Sequence, residues 1–298
     1  MDKPFVSVII PSYCRPGPLR RCLQRLREQT YPTGRFEVIV VDDGSNPPLD
    51  DVAASLRDLL DITLMRQKNS GPAAARNRGA AEARGELLLF TDDDCLPDPG
   101  WIEAFAQSHT RTPLALLGGE MVNHCPDNSC AVASQIILDS AYTFYNSDPV
   151  NARFFASSNI ALPADTYHSV GGFSEAFRTA SEDRELCDRW RWRGHPLVSV
   201  PAAVVRHTKS PSLREFVHQH FSYGRGAFQF HRERARRGTV HVSREVFRYP
   251  VFLWTLLRAA AAQPLRRFVP VASLLCVAQA VNALGFGYAA VRGTGPHH

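Results

Sequence analysis

The hydrophobic positions of this chain fall into short blocks whose period changes from one block to the next. Val6 to Ile10 is an unbroken apolar run closed by Pro11 and Ser12, and Leu19, Cys22, Leu23 and Leu26 follow at helical spacing. The first block predicts a strand buried on both faces, the second an amphipathic helix. The alternation then recurs. Glu37 to Val41 predicts a second strand, which runs into Asp42-Asp43-Gly44-Ser45, and Leu56, Leu59 and Leu60 predict a helix after it. Ile62 to Met65 predicts a third strand. Ala73 to Ala83 predicts an alanine-rich helix stopped by Gly85, and Leu87 to Phe90 a fourth strand that runs into Asp92-Asp93-Asp94.

Buried strands alternating with helices predict an α/β architecture with a mainly parallel sheet flanked by helices. In such sheets ligands bind beyond the carboxyl ends of the strands. Asp42-Asp43 and Asp92-Asp93-Asp94 therefore crowd one rim, where five carboxylates repel one another unless a cation or hydrogen-bond donors offset them. A divalent cation, Mn2+ or Mg2+, is the economical answer, because both prefer oxygen ligands and bridge to substrate phosphates. Asp92 and Asp94 are the expected ligands, and Asp93 should alternate to the other face if extended backbone continues. Taken alone, Asp42-Asp43-Gly44-Ser45 reads first as a turn.

From about Tyr249 the alternation is lost. Val251 to Ala262 is apolar apart from Arg258, and Phe268 to Val291 carries no charge over 24 residues. At about 1.5 Å per residue that run is long enough to cross a bilayer. Pro270, Gln279, Asn282, Gly285 and Gly287 weaken it as a spanning helix. It reads as membrane-inserted or re-entrant, as lying at the interface, or as a packed helical subdomain. Arg266 and Arg267 would put its first end on the cytoplasmic side if it inserts. Upstream, Arg225, Arg232, Arg234, Arg236 and Arg237 suit either a solvated helix face or an anionic surface of lipid headgroups or phosphate.

Composition changes this picture little. The 298 residues are 44% hydrophobic, enough for a full core and against disorder, and the net charge of +5 is only mildly basic; no nucleic acid is expected as a partner. Seven cysteines form no CxxC pair, and an odd number cannot all close into disulfides, which fits a reducing cytoplasm. His124, Cys125 and Cys130 match no common zinc spacing. The opening MDKPFVSVIIPSY has an apolar run too short for a signal peptide, so secretion is not expected.

Five segments then occur in a telling order: VSVIIPSYCRP (6–16), VIVVDDGS (38–45), GPAAARNRGAAEARGELLLFTDDDC (71–95), GGFSEAF (171–177) and EDRELCDRW (182–190). Together they resemble the family 2 glycosyltransferases of GT-A fold, over residues 5 to 210 or so. The resemblance implies a catalytic domain over 1–225, with a nucleotide-sugar half to about 110 and an acceptor half after it, and a basic then apolar helical tail over 226–298. By the same resemblance Pro11, Ser12, Tyr13 and Arg15 form the loop that holds the nucleotide, and Asp43 accepts the imide N–H of uracil or thymine. Arg76, Asp92 and Asp93 then belong to nucleotide binding, while Asp94, Asp92 and His207 belong to the metal. Asp183 becomes the general base, and Ser158, Asn159, Gly171, Gly172, Glu182 and Trp190 form the acceptor side.

Without the resemblance, Arg76 reads as a surface ion pair, Glu182-Asp183 as a helix-capping pair, and His207 as a structural histidine. Processive relatives carry a QxxRW motif, whereas here the string after the acidic pair is Gln219-His220-Phe221-Ser222-Tyr223-Gly224-Arg225-Gly226. Single-sugar transfer is therefore expected, with Tyr223 and Arg225 as candidates to close the site over the diphosphate. The expected activity moves one sugar from a nucleotide-diphosphate sugar, UDP- or dTDP-linked, to a hydroxyl acceptor by metal-assisted inverting displacement. Its expected place is the cytoplasmic face of the cell membrane, in the synthesis of envelope glycan or glycolipid, with a lipid-linked acceptor among the candidates. The competing readings are a retaining GT-A transferase, a sugar nucleotidyltransferase, and a non-catalytic membrane-associated nucleotide-binding module. No Gly-rich loop with a following lysine appears after the first strand, which counts against nucleotidyl transfer.

Overall fold

The computed structural model describes residues 3–178, 180–239 and 242–292, so residues 240–241 and 293–298 of the expected tail lie outside the described residues. Strand β1 (Val6–Ser12) leads through α1 (Pro16–Arg27) to β2 (Phe36–Asp42), α2 (Asp50–Ala54) and β3 (Ile62–Arg66), and α3 (Pro72–Ala81) returns the chain to β4 (Leu87–Thr91). Then come β5 (Cys95–Pro97), α4 (Trp101–Arg111), β6 (Leu116–Asn123), α5 (Ser129–Tyr145), β7 (Asn159–Pro163), α6 (Ala164–Val170), α7 (Glu182–Trp192) and β8 (Leu197–His207). Helices α8 (Leu213–Arg236), α9 (Val242–Ala261) and α10 (Leu265–Arg292) follow.

The chain divides into two compact units. The first comprises the described residues of Met1–Val122, Asp148–Arg178 and Glu182–Thr208 and is built on one sheet in the order β3-β2-β1-β4-β7-β6-β8-β5. The neighbours in β3-β2-β1-β4 are parallel, as the βα alternation predicts, because α1, α2 and α3 carry the chain back to the start of the next strand. Beyond β4 the pairing changes. β7 runs antiparallel to β4 and β6, and β5 antiparallel to β8, so the sheet as a whole is mixed. Val6 to Ile10, all of β2 and all of β4 are buried, which accounts for their unbroken apolar sequence. On α1, Leu19, Cys22, Leu23 and Leu26 make the buried face, as their spacing predicts. The expected helix at Leu56 to Leu60 is a run of turns after α2, with the Leu59 and Leu60 N–H groups both on the Leu56 carbonyl; exposed Leu59 leaves too narrow an apolar face to extend a helix.

The second unit comprises the described residues of Asn123–Ser147, Thr179–Ser181 and Lys209–His298. Its core joins Ala133 and Ile136 of α5, Phe216 of α8, Leu256 and Ala260 of α9, and Val271, Leu275 and Ala278 of α10. A capping box opens α8, in which Ser212 and Glu215 exchange side-chain and backbone hydrogen bonds. Helices α8 and α10 approach backbone to backbone. A Cβ on Gly224 would lie 2.0 Å from the Asn282 carbonyl oxygen, and one on Gly285 2.1 Å from that of Phe221, so only glycine fits either place. Residue 225, the expected end of the catalytic domain, lies within this packed region. It falls inside α8, which runs from Leu213 to Arg236, and the compact units divide between Thr208 and Lys209.

Phe90 on β4 is fully buried, with its ring 5.4 Å from that of Tyr167 and 5.3 Å from that of Phe173. Replacing it by alanine should cost about 3–5 kcal/mol, read as a lowered Tm and denaturant midpoint.

Candidate active site

The register Ser12↔Asp42 between β1 and β2, with β4 on the other side of β1, gathers three strand ends at one edge of the sheet. After Ser12 the backbone turns sharply, with Cys14 in the left-handed region (φ 54°) and its N–H donating to Ser45 Oγ at 2.8 Å. That turn brings Arg15 back over the aspartates, while Tyr13 stays exposed. Pro11, still within β1, is half-buried.

The two aspartates at the end of β2 divide the readings left open by the sequence. Asp42 closes the turn by accepting the Ser45 N–H at 2.8 Å. Asp43 accepts from Gln67 Nε2 at 2.7 Å and from the backbone N–H groups of Ser70 and Gly71, each at 2.9 Å, and so fixes the loop that enters α3. Gln67 was not legible as a site residue, since no spacing links it to Asp43.

The strand ends at Thr91, so extended geometry does not continue through the acidic triplet and the expected outward turn of Asp93 does not occur. Asp93 accepts from Ser12 Oγ at 2.7 Å, and Arg15 spans Asp93 at 2.8 Å and Asp94 at 2.6 Å. Burial pushes the Asp93 carboxyl up to about 7 against the pull of Arg15. Asp94 meets the same burial, but His207 and Arg15 outweigh it and hold its carboxyl well below the usual range. The antiparallel pair Cys95↔His207 sets the histidine beside Asp94, with Nε2 3.3 Å from Oδ1, and Thr208 adds two hydrogen bonds to the Asp94 carbonyl.

Asp94, Cys95 and His207 are the described residues that converge as metal donors. Two atoms in adjacent positions around a small divalent ion at about 2.1 Å stand about 3 Å apart, so Asp94 and His207 fit such an ion. Burial pushes the Cys95 thiol up, which keeps it protonated and outside the hard-ion donor set.

Asp92 points elsewhere. Its carboxylate accepts from Arg76 Nη2 at 2.7 Å, and Arg76 Nη1 donates to Glu182 Oε1 at 3.0 Å. Arg76 is 3% exposed, so it is no surface ion pair, and its guanidinium is enclosed between carboxylates instead of open to a nucleotide phosphate. Asp183, next to Glu182 at the start of α7, is half-buried and accepts the Arg184 N–H at 2.7 Å. Burial and the adjacent Glu182 raise its carboxyl to about 7, although Arg76 pulls the other way.

The expected acceptor-side residues separate by exposure. Gly171 ends α6 in the left-handed region (φ 94°), and Gly172 (φ 61°) lies where a Cβ would be 2.7 Å from Asn77 Oδ1. Ser158 is buried with its hydroxyl on the Met121 sulfur. Asn159 is fully buried, accepting the Trp101 indole N–H at 2.7 Å and donating to the carbonyls of Glu120 and Ala203. Trp190 is also fully buried, with its indole N–H on the Leu114 carbonyl. Neither Asn159 nor Trp190 has the open face that contact with an acceptor needs; both are held in place by the packing behind the site.

Comparison with known proteins agrees with this geometry. The model of Glycosyl transferase family 2 matches residues 7–178. The chain belongs to that family. Glycosyltransferase AglE of Haloferax volcanii is 30% identical over 230 residues, which cover 76% of this chain and 74% of AglE. The pre-mycofactocin glycosyltransferase of Mycobacterium tuberculosis is 29% identical over 228 residues, 74% of this chain but only 46% of that one. Among solved structures, the mannosyltransferase PcManGT of Pyrobaculum calidifontis, in complex with GDP-Man and Mn2+, superposes with a TM-score of 0.69 at 18% identity over 98% of this chain and 88% of that one. S. aureus TarS in complex with UDP gives 0.54 at 18% identity, over 97% and 91%. The fold is GT-A, and the chain is a family 2 glycosyltransferase.

Two measurements test the site. A carboxylate must be deprotonated to act as base, so the transfer rate should fall as pH drops through about 7, and Asp183→Asn should lose that limb together with nearly all activity, by about a hundredfold or more. Asn159→Ala leaves the Trp101 N–H and two carbonyls without their partner, and should lower stability by about 2–4 kcal/mol in denaturant unfolding.

Proposed function

We propose that the chain transfers a single sugar from a UDP- or dTDP-linked donor to a hydroxyl acceptor with inversion at the anomeric carbon. The observation that carries this reading is the raised, half-buried carboxyl of Asp183, joined through Glu182 and Arg76 to the acidic turn after β4. A base poised near neutral pH is what removal of an acceptor hydroxyl proton requires. The hydroxyl oxygen attacks the anomeric carbon as Asp183 takes its proton, and the nucleotide diphosphate departs from the opposite face. Asp94 and His207 would hold the divalent ion, Mn2+ or Mg2+, whose chemistry is charge stabilisation on the departing diphosphate. Arg15, fixed across Asp93 and Asp94, adds a positive charge on the same side. Exposed Tyr13 offers a flat face to the base, and Asp43 an acceptor for an imide N–H. The missing Arg-Trp pair after Gln219 supports one transfer per encounter.

A membrane-bound acceptor is supported by α10, whose most apolar stretch has a mean hydropathy of 1.7 and is 22% buried. Val269, Val277, Leu284 and Val291 remain exposed on it, and Arg266, Arg267 and Arg292 stand at its ends. We infer attachment at the cytoplasmic face and an acceptor carried on lipid, in envelope glycan or glycolipid synthesis.

The test is a donor screen with membrane lipid extract as acceptor source, reading UDP, dTDP and GDP release, followed by NMR of the product linkage. Manganese- or magnesium-dependent release of UDP or dTDP and an anomeric configuration opposite to the donor's are expected. GDP release would overturn the uracil or thymine donor, retention would overturn the direct displacement, and pyrophosphate release would mean nucleotidyl transfer.

A further inference from the structure

We propose that Arg76 is a positioning residue that sets the ionisation of Asp183 by way of Glu182, and is not a donor to the phosphates of the nucleotide. The inference rests on the assignment of Asp183 as base.

Geometry carries the argument. Arg76 lies on α3, and its guanidinium spans from Asp92, just past β4, to Glu182 at the start of α7, at 2.7 and 3.0 Å. Its carbon centre stands 5.4 Å from the centre of the Phe173 ring, which covers one face of the plane. Its Nε is buried and has no hydrogen-bond partner among the described residues. A residue meant to grip a phosphate would leave an N–H edge open, and this one is sealed. Burial works against its charge, yet Asp92 and Glu182 more than offset that and raise its pKa, so the arginine stays charged at any working pH.

Among the described residues, the groups that act on Asp183 come from two helices. Glu182 and Arg184 come from its own helix, Arg76 from α3, and the Cys187 thiol lies one turn further along α7, pushed up by burial. After burial, Glu182 is the largest influence on Asp183 and raises its pKa; Arg76 lowers it. Arg76 therefore acts twice, once by its own charge and once by tying down Glu182 so that the second carboxylate is partly neutralised. Removing the arginine and removing the Glu182 charge must move Asp183 in opposite directions. A residue serving only to hold the fold together would not produce that sign reversal.

The experiment titrates the Asp183 carboxyl in the ligand-free protein by carbon-detected NMR, with Asp183→Asn to identify its signal. Alongside, UDP binding in the presence of manganese is measured by calorimetry at pH 8. Against a wild-type midpoint near 7, Arg76→Gln should move it up by about one unit or more and Glu182→Gln down by about one unit, the scale of one close charge. Arg76→Lys, which keeps the charge, should stay near wild type, and UDP affinity should change by less than about threefold in Glu182→Gln. If Arg76→Gln alone fails to fold, the double variant Arg76→Gln/Glu182→Gln, which removes both members of the pair, decides: a midpoint above that of Glu182→Gln is expected, and one equal to it overturns the proposal. An unmoved midpoint in Glu182→Gln overturns the proposal, as does an unmoved midpoint in Arg76→Gln accompanied by a tenfold or greater loss of UDP affinity. Should Asp183→Asn keep full turnover while the shifts are seen, the base assignment fails and the coupling stands, so the two failures are told apart.

Discussion

Repulsion among carboxylates at one sheet edge is the constraint around which the first unit is organised. The parallel strands deliver Asp42 and Asp43 from β2 and the triplet Asp92-Asp93-Asp94 from β4 to the same rim, and α7 brings Glu182 and Asp183. Uncompensated, so many like charges in a half-buried place would neutralise or force the edge apart. Each has a local answer. Asp42 spends its charge on the Ser45 N–H and Asp43 on Gln67, Ser70 and Gly71. Arg15 spans Asp93 and Asp94, and Arg76 spans Asp92 and Glu182. At Asp183 burial and the adjacent Glu182 outweigh Arg76 and Arg184, and its pKa rises accordingly.

That inequality is what makes the edge chemically useful. Carboxylates of one type take up different states because their surroundings differ: Asp94 is held ionised by His207 and Arg15, while Asp183 is held near the midpoint of its titration at neutral pH. An ionised carboxylate beside an imidazole suits a divalent ion and a diphosphate. A carboxylate near its midpoint suits proton transfer. The arrangement has a cost in stability, because the raised Asp183 favours the folded state only while protonated, and that contribution is lost as pH rises through about 7. The left-handed turn at Cys14 is a second local cost at the same edge, and it is what returns Arg15 to the aspartates.

The second unit follows a different rule. Its helices bury apolar residues among themselves and meet closely at Gly224 and Gly285, while Val269, Leu284 and Val291 of α10 stay exposed.

By itself the sequence determined the strand–helix alternation, the parallel half of the sheet and the presence of aspartates at strand ends, because hydrophobic period and strand termination are local properties of the chain. The five segments were enough to suggest the family. Tertiary structure alone decided which carboxylate faces which partner. Nothing in the spacing tells that Arg76 is buried between Asp92 and Glu182, 106 residues from the latter, or that Asp93 joins Asp94 under Arg15 once β4 stops at Thr91. It also buried Asn159 and Trp190 completely and ran α8 through residue 225. The physical reason is common to all of these. Charge state and accessibility depend on distances between segments far apart in the chain, and those distances exist only after folding.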